Sequence, residues 1–167
     1  FFFLPCSSAD KITETIIGLC KDRLPKSYGY SAMTDIQVLC PGRKGLLGVI
    51  ELNKKLQEVL NPPIGTNLDL NIGTYSLRYG DKVMQIRNNY DLIWTRGDDD
   101  DGEGVFNGDI GIVVRVNSKA GTVSVKFDDK LVEYDRESVR DLELAYATTV
   151  HKSQGNEFEA VIMPMFR

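Results

Sequence analysis

The spacing of apolar residues changes character twice along these 167 residues. From Asp10, an N-cap candidate, DKITETIIGLCKDRL sets Ile12, Thr15, Ile16, Leu19 and Cys20 on one helical face, which predicts an amphipathic helix packed on a sheet. TDIQVLCP is a short β-branched run stopped by Pro41. Beyond the glycine-spaced loop PGRKGLLG, the segment GVIELNKKLQEVLNPP repeats Ile50, Leu52, Leu56, Val59 and Leu60 at helical intervals until Pro62 and Pro63 end it. The apolar FFFLP at residues 1–5 is expected to be a buried strand. Strand, helix, strand, helix implies an α/β layer on a parallel sheet.

After Pro63 the period shortens. GDKVMQIRNNYD, FNGDIGIVVRVN, GTVSVKFDD and LVEYD are short β-like runs divided by turn signals at 117–121 and 128–130. Strands so closely spaced predict a small antiparallel barrel of the SH3-like kind. RGDDDDGEG, between the first two of them, lacks the D-x-D-x-D-G alternation of a calcium loop and is expected to be a solvated loop tip. From Leu142 the texture reverts: LELAYAT is β-like, HKSQG begins a short helix or loop, and EAVIMPMF is expected to be a fully apolar strand of a buried parallel sheet. The organisation predicted is an α/β domain, residues 1–74 and 142–167, interrupted by a barrel at 75–141 that carries an acidic loop at 97–104.

Composition narrows the class. With 42% hydrophobic and 26% charged residues and no apolar run of membrane-spanning length, a membrane protein is not expected. FFFLP has neither the basic leader nor the cleavage site of a signal peptide. Cys6, Cys20 and Cys40 are odd in number and widely spaced, and there is a single histidine, so no metal site is expected and a cytoplasmic setting fits. The net charge of -4 is set by Asp98, Asp99, Asp100, Asp101 and Glu103, so acidity is local and does not exclude a nucleic-acid partner.

The candidate chemistry lies in AYATTVHKSQGNEFEAVIMP, residues 145–164, which holds His151. His151 and Ser153 are two apart with no G-x-S-x-G setting, which argues against a nucleophile and its base. Two readings stay open: a strand-end turn offering Thr148, Thr149, Lys152 and Gln154 to a phosphate beside a permissive Gly155, or a capped surface helix. PGRKGLLG does not fit G-x-x-x-x-G-K-[ST], and that pattern occurs nowhere in the chain. In the barrel, Arg78, Lys82, Arg87 and Arg96 interleave with Tyr79, Tyr90 and Trp94. That mixture suits single-stranded nucleic acid, but the expectation is an aromatic core and a cationic rim.

AYATTVHKSQGNEF, followed by an apolar strand ending in proline, closely resembles motif V of the RecD/TraA-type superfamily 1 DNA helicases. DIQVLCPGRKGLLGVIELNKKLQEVLNP is similar to that family's second RecA-like lobe, and RYGDKVMQIRNNYD with VFNGDIGIVV to the start of its inserted SH3-like barrel. The resemblance implies a partial RecA-like lobe of P-loop NTPase type and an ATP-driven motor moving 5′ to 3′ on single-stranded DNA in repair or recombination. It implies that Thr149 and His151 touch the DNA backbone, with Lys152, Arg87 and Asn88 as further DNA candidates. It implies that Gln154 and Gly155 approach the ATP phosphates and that Glu157 binds the ribose. Walker A, Walker B and the late arginine motif are not identified, and Arg167 is not given the last of these roles. The chain is therefore expected to be a fragment without catalytic residues, inactive and without ATP or Mg²⁺ by itself, whose partners are DNA, the family's first lobe and, in one alternative, the subunits of an exodeoxyribonuclease V-type nuclease complex. The other alternative is a non-enzymatic nucleic-acid-binding barrel.

Overall fold

A computed structural model describes residues 1–66 and 68–166, so Arg167 lies outside the described residues. The chain divides into two compact units, one formed by residues 1–60 and the segment from Tyr146 onward, the other by Asn61–Ala145.

The first unit opens with helix α1 (Ala9–Gly18), whose first turn is capped by Ser8, not Asp10: the Ser8 hydroxyl accepts the Lys11 N–H at 3.2 Å. Ile12, Thr13 and Ile16 form its buried face. A π turn at Leu19–Arg23 carries it into α2 (Leu24–Tyr28), which ends at left-handed Gly29. Pro25 has no N–H to donate backwards, and a widened turn just before it relieves that mismatch. Strand β1 (Ile36–Cys40) and helix α3 (Val49–Leu60) follow. On α3 the buried positions are Val49, Leu52, Asn53, Leu56 and Gln57, while Ile50 is outside; the inward face thus carries two amides that hydrophobic spacing does not reveal.

The second unit begins with a hairpin of β2 (Leu70–Ile72) and β3 (Tyr75–Leu77). Next come β4 (Lys82–Gln85), β5 (Asn89–Arg96), β6 (Asp100–Val105), β7 (Ile110–Asn117), β8 (Thr122–Phe127) and β9 (Lys130–Tyr134). A 3₁₀ turn at Ser138–Asp141 leads to β10 (Leu142–Leu144). The seven strands β4 to β10 form one antiparallel sheet in the order β10-β4-β7-β8-β9-β5-β6. Its core includes Val83, Leu92, Val105, Val113, Val125, Val132, Tyr134 and Leu142. Asn61 belongs here because its amide donates to Tyr79 O and to the buried carboxylate of Asp81, at 3.0 and 2.8 Å.

The chain then returns to the first unit as β11 (Ala147–Thr149), a 3₁₀ turn at His151–Ser153, and β12 (Ala160–Ile162). Both strands pair parallel to β1, which is central in the order β11-β1-β12. The fold is α/β with a parallel sheet, interrupted by an antiparallel β unit.

Several local expectations are corrected. FFFLP is not a buried strand: Phe1, Phe2 and Phe3 are exposed and unpaired in any sheet, since both sides of β1 are occupied by β11 and β12. EAVIMPMF contributes only Ala160–Ile162 to the sheet, as an edge strand, and Val161, Met163, Met165 and Phe166 are exposed. The acidic stretch is not a loop tip throughout. Residues from Asp100 are strand β6, paired with β5 from Arg96↔Asp100 onward, and Gly97 at φ 63 helps form the tight turn. LELAYAT is two strands in two sheets, Leu142–Leu144 on β4 and Ala147–Thr149 on β1.

Candidate functional site

The turn after β11 is positioned by two neighbours, β1 and α3, and by its own hydrogen bonds. Val38, Leu39 and Cys40 of β1 pair in register with Ala147, Thr148 and Thr149. On the outer side of β11, the Asn53 side chain of α3 takes the place of a neighbouring strand: the Ala147 N–H donates to Asn53 Oδ1 at 2.8 Å, and Asn53 Nδ2 donates to Ala147 O at 3.0 Å. Where β11 ends, the chain folds into a single 3₁₀ turn. The Ser153 N–H and hydroxyl both donate to Val150 O, at 3.2 and 2.7 Å, and the Gln154 and Asn156 N–H groups donate to His151 O and Ser153 O.

This geometry refines the phosphate reading. A three-residue turn is too short to act as a helix terminus, and the N–H groups of Ser153 and of Gln154 and Asn156 just after it are already used within the segment. Side chains carry what the turn offers: His151, Gln154 and Glu157 are exposed, and Thr149 and Lys152 are half-buried. Gly155 has φ 87 and no atom within 4 Å of where a Cβ would stand, so a ligand can approach its backbone unhindered. Thr148 offers nothing outward; it is buried. Cys40, at the end of β1, is fully buried, and that burial pushes its thiol up to about 11. It is a core side chain, not a nucleophile.

The second unit holds the other predicted residues. Arg87 is exposed, with Nε 3.6 Å from Asp141. Asn88 accepts the Asn107 N–H at 2.9 Å and lies 3.5 Å from the Tyr90 hydroxyl. The Tyr90 ring, 65% exposed, meets the 45% exposed Phe106 ring edge to face at 5.8 Å. Phe106 covers Gly104 so closely that an added Cβ would lie 2.9 Å from its Cζ. Tyr79 is also exposed, whereas Lys82 is buried and Arg78 is tied to Asp69 at 3.0 Å. The expected aromatic core with a cationic rim is overturned for Tyr79, Tyr90 and Lys82, whereas Arg87 and Arg96 are exposed as expected: every residue of β4 is buried, Lys82 included, and the register of β5 shifts between Asn89 and Ile93, where Tyr90 faces outward. Trp94 is half-buried against Gly102, with Lys130 Nζ 4.3 Å from its ring centroid.

Thr149, His151, Lys152, Gln154, Gly155 and Glu157 thus share one turn, and Arg87 and Asn88 share one patch with Tyr90, Phe106 and Asn107. Sequence reasoning missed Asn53, whose only signal is an amide at a core position of α3, and Phe106, which follows β6. The exposed amide and carboxylate beside an unobstructed glycine suit a nucleotide's phosphates and hydroxyls. Among the described residues no group of three or more His, Cys, Asp or Glu is placed to hold a metal ion, so no Mg²⁺ ligands are assigned. No described helix is long and apolar enough to cross a membrane.

Residues 52–127 match the family described as the ATP-dependent RecD-like DNA helicase SH3 domain, and residues 144–167 match the UvrD-like helicase C-terminal domain. The chain is 35% identical over 127 residues, 76% of its length, to the ATP-dependent RecD2 DNA helicase of Deinococcus radiodurans. It is 32% identical, over 99% of its length, to the RecBCD enzyme subunit RecD of Buchnera aphidicola from Acyrthosiphon pisum. It spans 16% of the first relative and 28% of the second. A RecD-like SH3 domain set ahead of a UvrD-like C-terminal segment, together with the likeness to these two relatives, decides the classification: the chain belongs to the RecD-type DNA helicases.

Proposed function

We propose that the gene product is an ATP-dependent helicase that moves 5′ to 3′ along single-stranded DNA in repair or recombination, acting in the cytoplasm, and that this chain supplies part of its second motor lobe and the SH3-like unit. The turn at 149–157 carries the reading. It exposes histidine, amide and carboxylate side chains at the end of a parallel strand, beside a glycine open to ligand approach. In this reading Thr149, His151 and Lys152 hold the DNA backbone, while Gln154 and Gly155 approach ATP phosphates and Glu157 its ribose. The exposed Tyr90 and Phe106 beside Arg87 and Asn88 support a second contact, in which rings meet bases and the cation meets phosphate. ATP and Mg²⁺ serve as cofactors, with the first lobe completing the nucleotide site.

An ATPase and unwinding assay of the intact gene product tests this. Gln154→Ala is expected to lower DNA-stimulated kcat for ATP by about tenfold or more, and His151→Ala to weaken single-strand binding by about tenfold with ATP affinity little changed. Wild-type activity in both variants would sink the assignment of the turn. A second reading, membership of a nuclease complex, is favoured by the match to a RecBCD subunit along 99% of the chain. Co-purification with other subunits distinguishes it from a helicase that works alone.

A further inference from the structure

We infer that Asn53 is a positioning residue for the DNA-facing part of the turn, acting through the backbone of Ala147. β11 is an edge strand of the order β11-β1-β12, and an edge leaves outward N–H and C=O groups without a strand partner. At Ala147 both groups are met by one side chain: Asn53 Oδ1 accepts the N–H at 2.8 Å and Nδ2 donates to the carbonyl at 3.0 Å. An amide of asparagine presents a donor and an acceptor at the spacing of a peptide group, so it reproduces a strand contact that leucine or aspartate cannot. Asn53 is 5% exposed and Ala147 is fully buried, so water does not substitute for either bond.

The position is costly on a helix face whose other buried members are Val49, Leu52, Leu56 and Gln57, and a purely apolar residue there would serve packing better. What the amide adds is register. Ala147 is the first residue of a three-residue strand, Thr149 is its last, and the His151 turn starts two residues later. A strand this short, paired with β1 on one side, depends on its outer clamp to hold its end in place. The inference rests on the proposed reading of Thr149 and His151 as DNA contacts.

The test uses the intact gene product with Asn53→Leu and Asn53→Asp, compared with wild type by amide hydrogen exchange and by ATPase titrated with oligo-dT. In Asn53→Leu, exchange in the peptide spanning 145–153 is expected to speed up by about tenfold or more while the second unit's peptides stay unchanged. The KM for oligo-dT is expected to rise about tenfold, with kcat at saturating DNA falling less than about threefold. Asn53→Asp keeps the acceptor for the Ala147 N–H but not the donor, so it falls between the two. Unchanged exchange at 145–153, or faster exchange there with the KM for DNA unmoved, overturns the inference. If wild type shows no DNA-stimulated ATPase, the proposed function fails instead. The exchange pattern of Asn53→Leu then decides the clamp alone: local acceleration upholds it, and protection equal to wild type removes it. Should Asn53→Leu not fold, Asn53→Asp carries both measurements.

Discussion

An added Cβ at Gly111 would stand 2.7 Å from Val125 Cγ1, 2.8 Å from the Lys126 carbonyl oxygen and 2.9 Å from Phe127 Cδ1. One of those neighbours is backbone and cannot swing aside. Gly111→Ala is therefore expected to destabilise the second unit by about 1–3 kcal/mol, read from the urea midpoint. Gly155 is the contrasting case, with open space but φ 87. Gly155→Ala is expected to cost about 1 kcal/mol of backbone strain, and its larger effect is on nucleotide affinity, measured by titration with an ATP analogue. A sequence marks both positions as glycine and nothing more, because the reason for each lies in what surrounds it.

At the scale of elements, the buried Tyr134 hydroxyl of β9 donates to Gln85 Oε1 of β4 at 2.8 Å, and Gln85 Nε2 donates to Arg87 O at 2.9 Å. This chain of bonds runs from the core to the Arg87–Asn88 patch. Burial pushes the Tyr134 hydroxyl well above the ordinary tyrosine range, so it remains a donor at any physiological pH. Tyr134→Phe leaves a buried amide oxygen unpaired and is expected to cost about 1–3 kcal/mol in urea unfolding. Helices were legible from spacing because α1 and α3 each bury one face. Strands were legible as runs, but their partners were not. The LELAYAT run pairs first with β4 and then with β1, since any apolar β-branched or aliphatic run suits either sheet. The acidic hairpin was missed for the opposite reason: aspartates are poor strand formers, yet β5 supplies the ladder for β6, and Arg96 Nε donates to Asp100 at 2.6 Å.

For the molecule as a whole, the two units are built differently. The second takes all seven strands of its sheet from one continuous segment, so a chain of residues 61–145 is expected to fold alone and unfold cooperatively, with β-type circular dichroism. The first unit draws its central strand and two neighbours from distant parts of the chain, and Cys40 is buried at the end of that central strand. A thiol raised from 9.0 to about 11 contributes stability that is intact below pH 9 and lost as pH climbs toward 11, because unfolding then releases a proton. The urea midpoint of wild type should accordingly drop between pH 8.5 and roughly 10.5 more steeply than that of Cys40→Val.

The sequence by itself determined the presence of the two amphipathic helices, the change from α/β to short-strand texture and back, and the cluster of polar residues from Thr149 to Glu157. These are local properties, written in periodicity and turn residues. Only the tertiary structure decided which sheet each strand joins, that Tyr90 and Phe106 face outward together, and that Asn53 closes the edge of β11. Asn53 and Ala147 are 94 residues apart, on opposite sides of the inserted unit, and no local pattern connects them. Their pairing exists because a parallel edge strand leaves a donor and an acceptor that something packed beside it must satisfy.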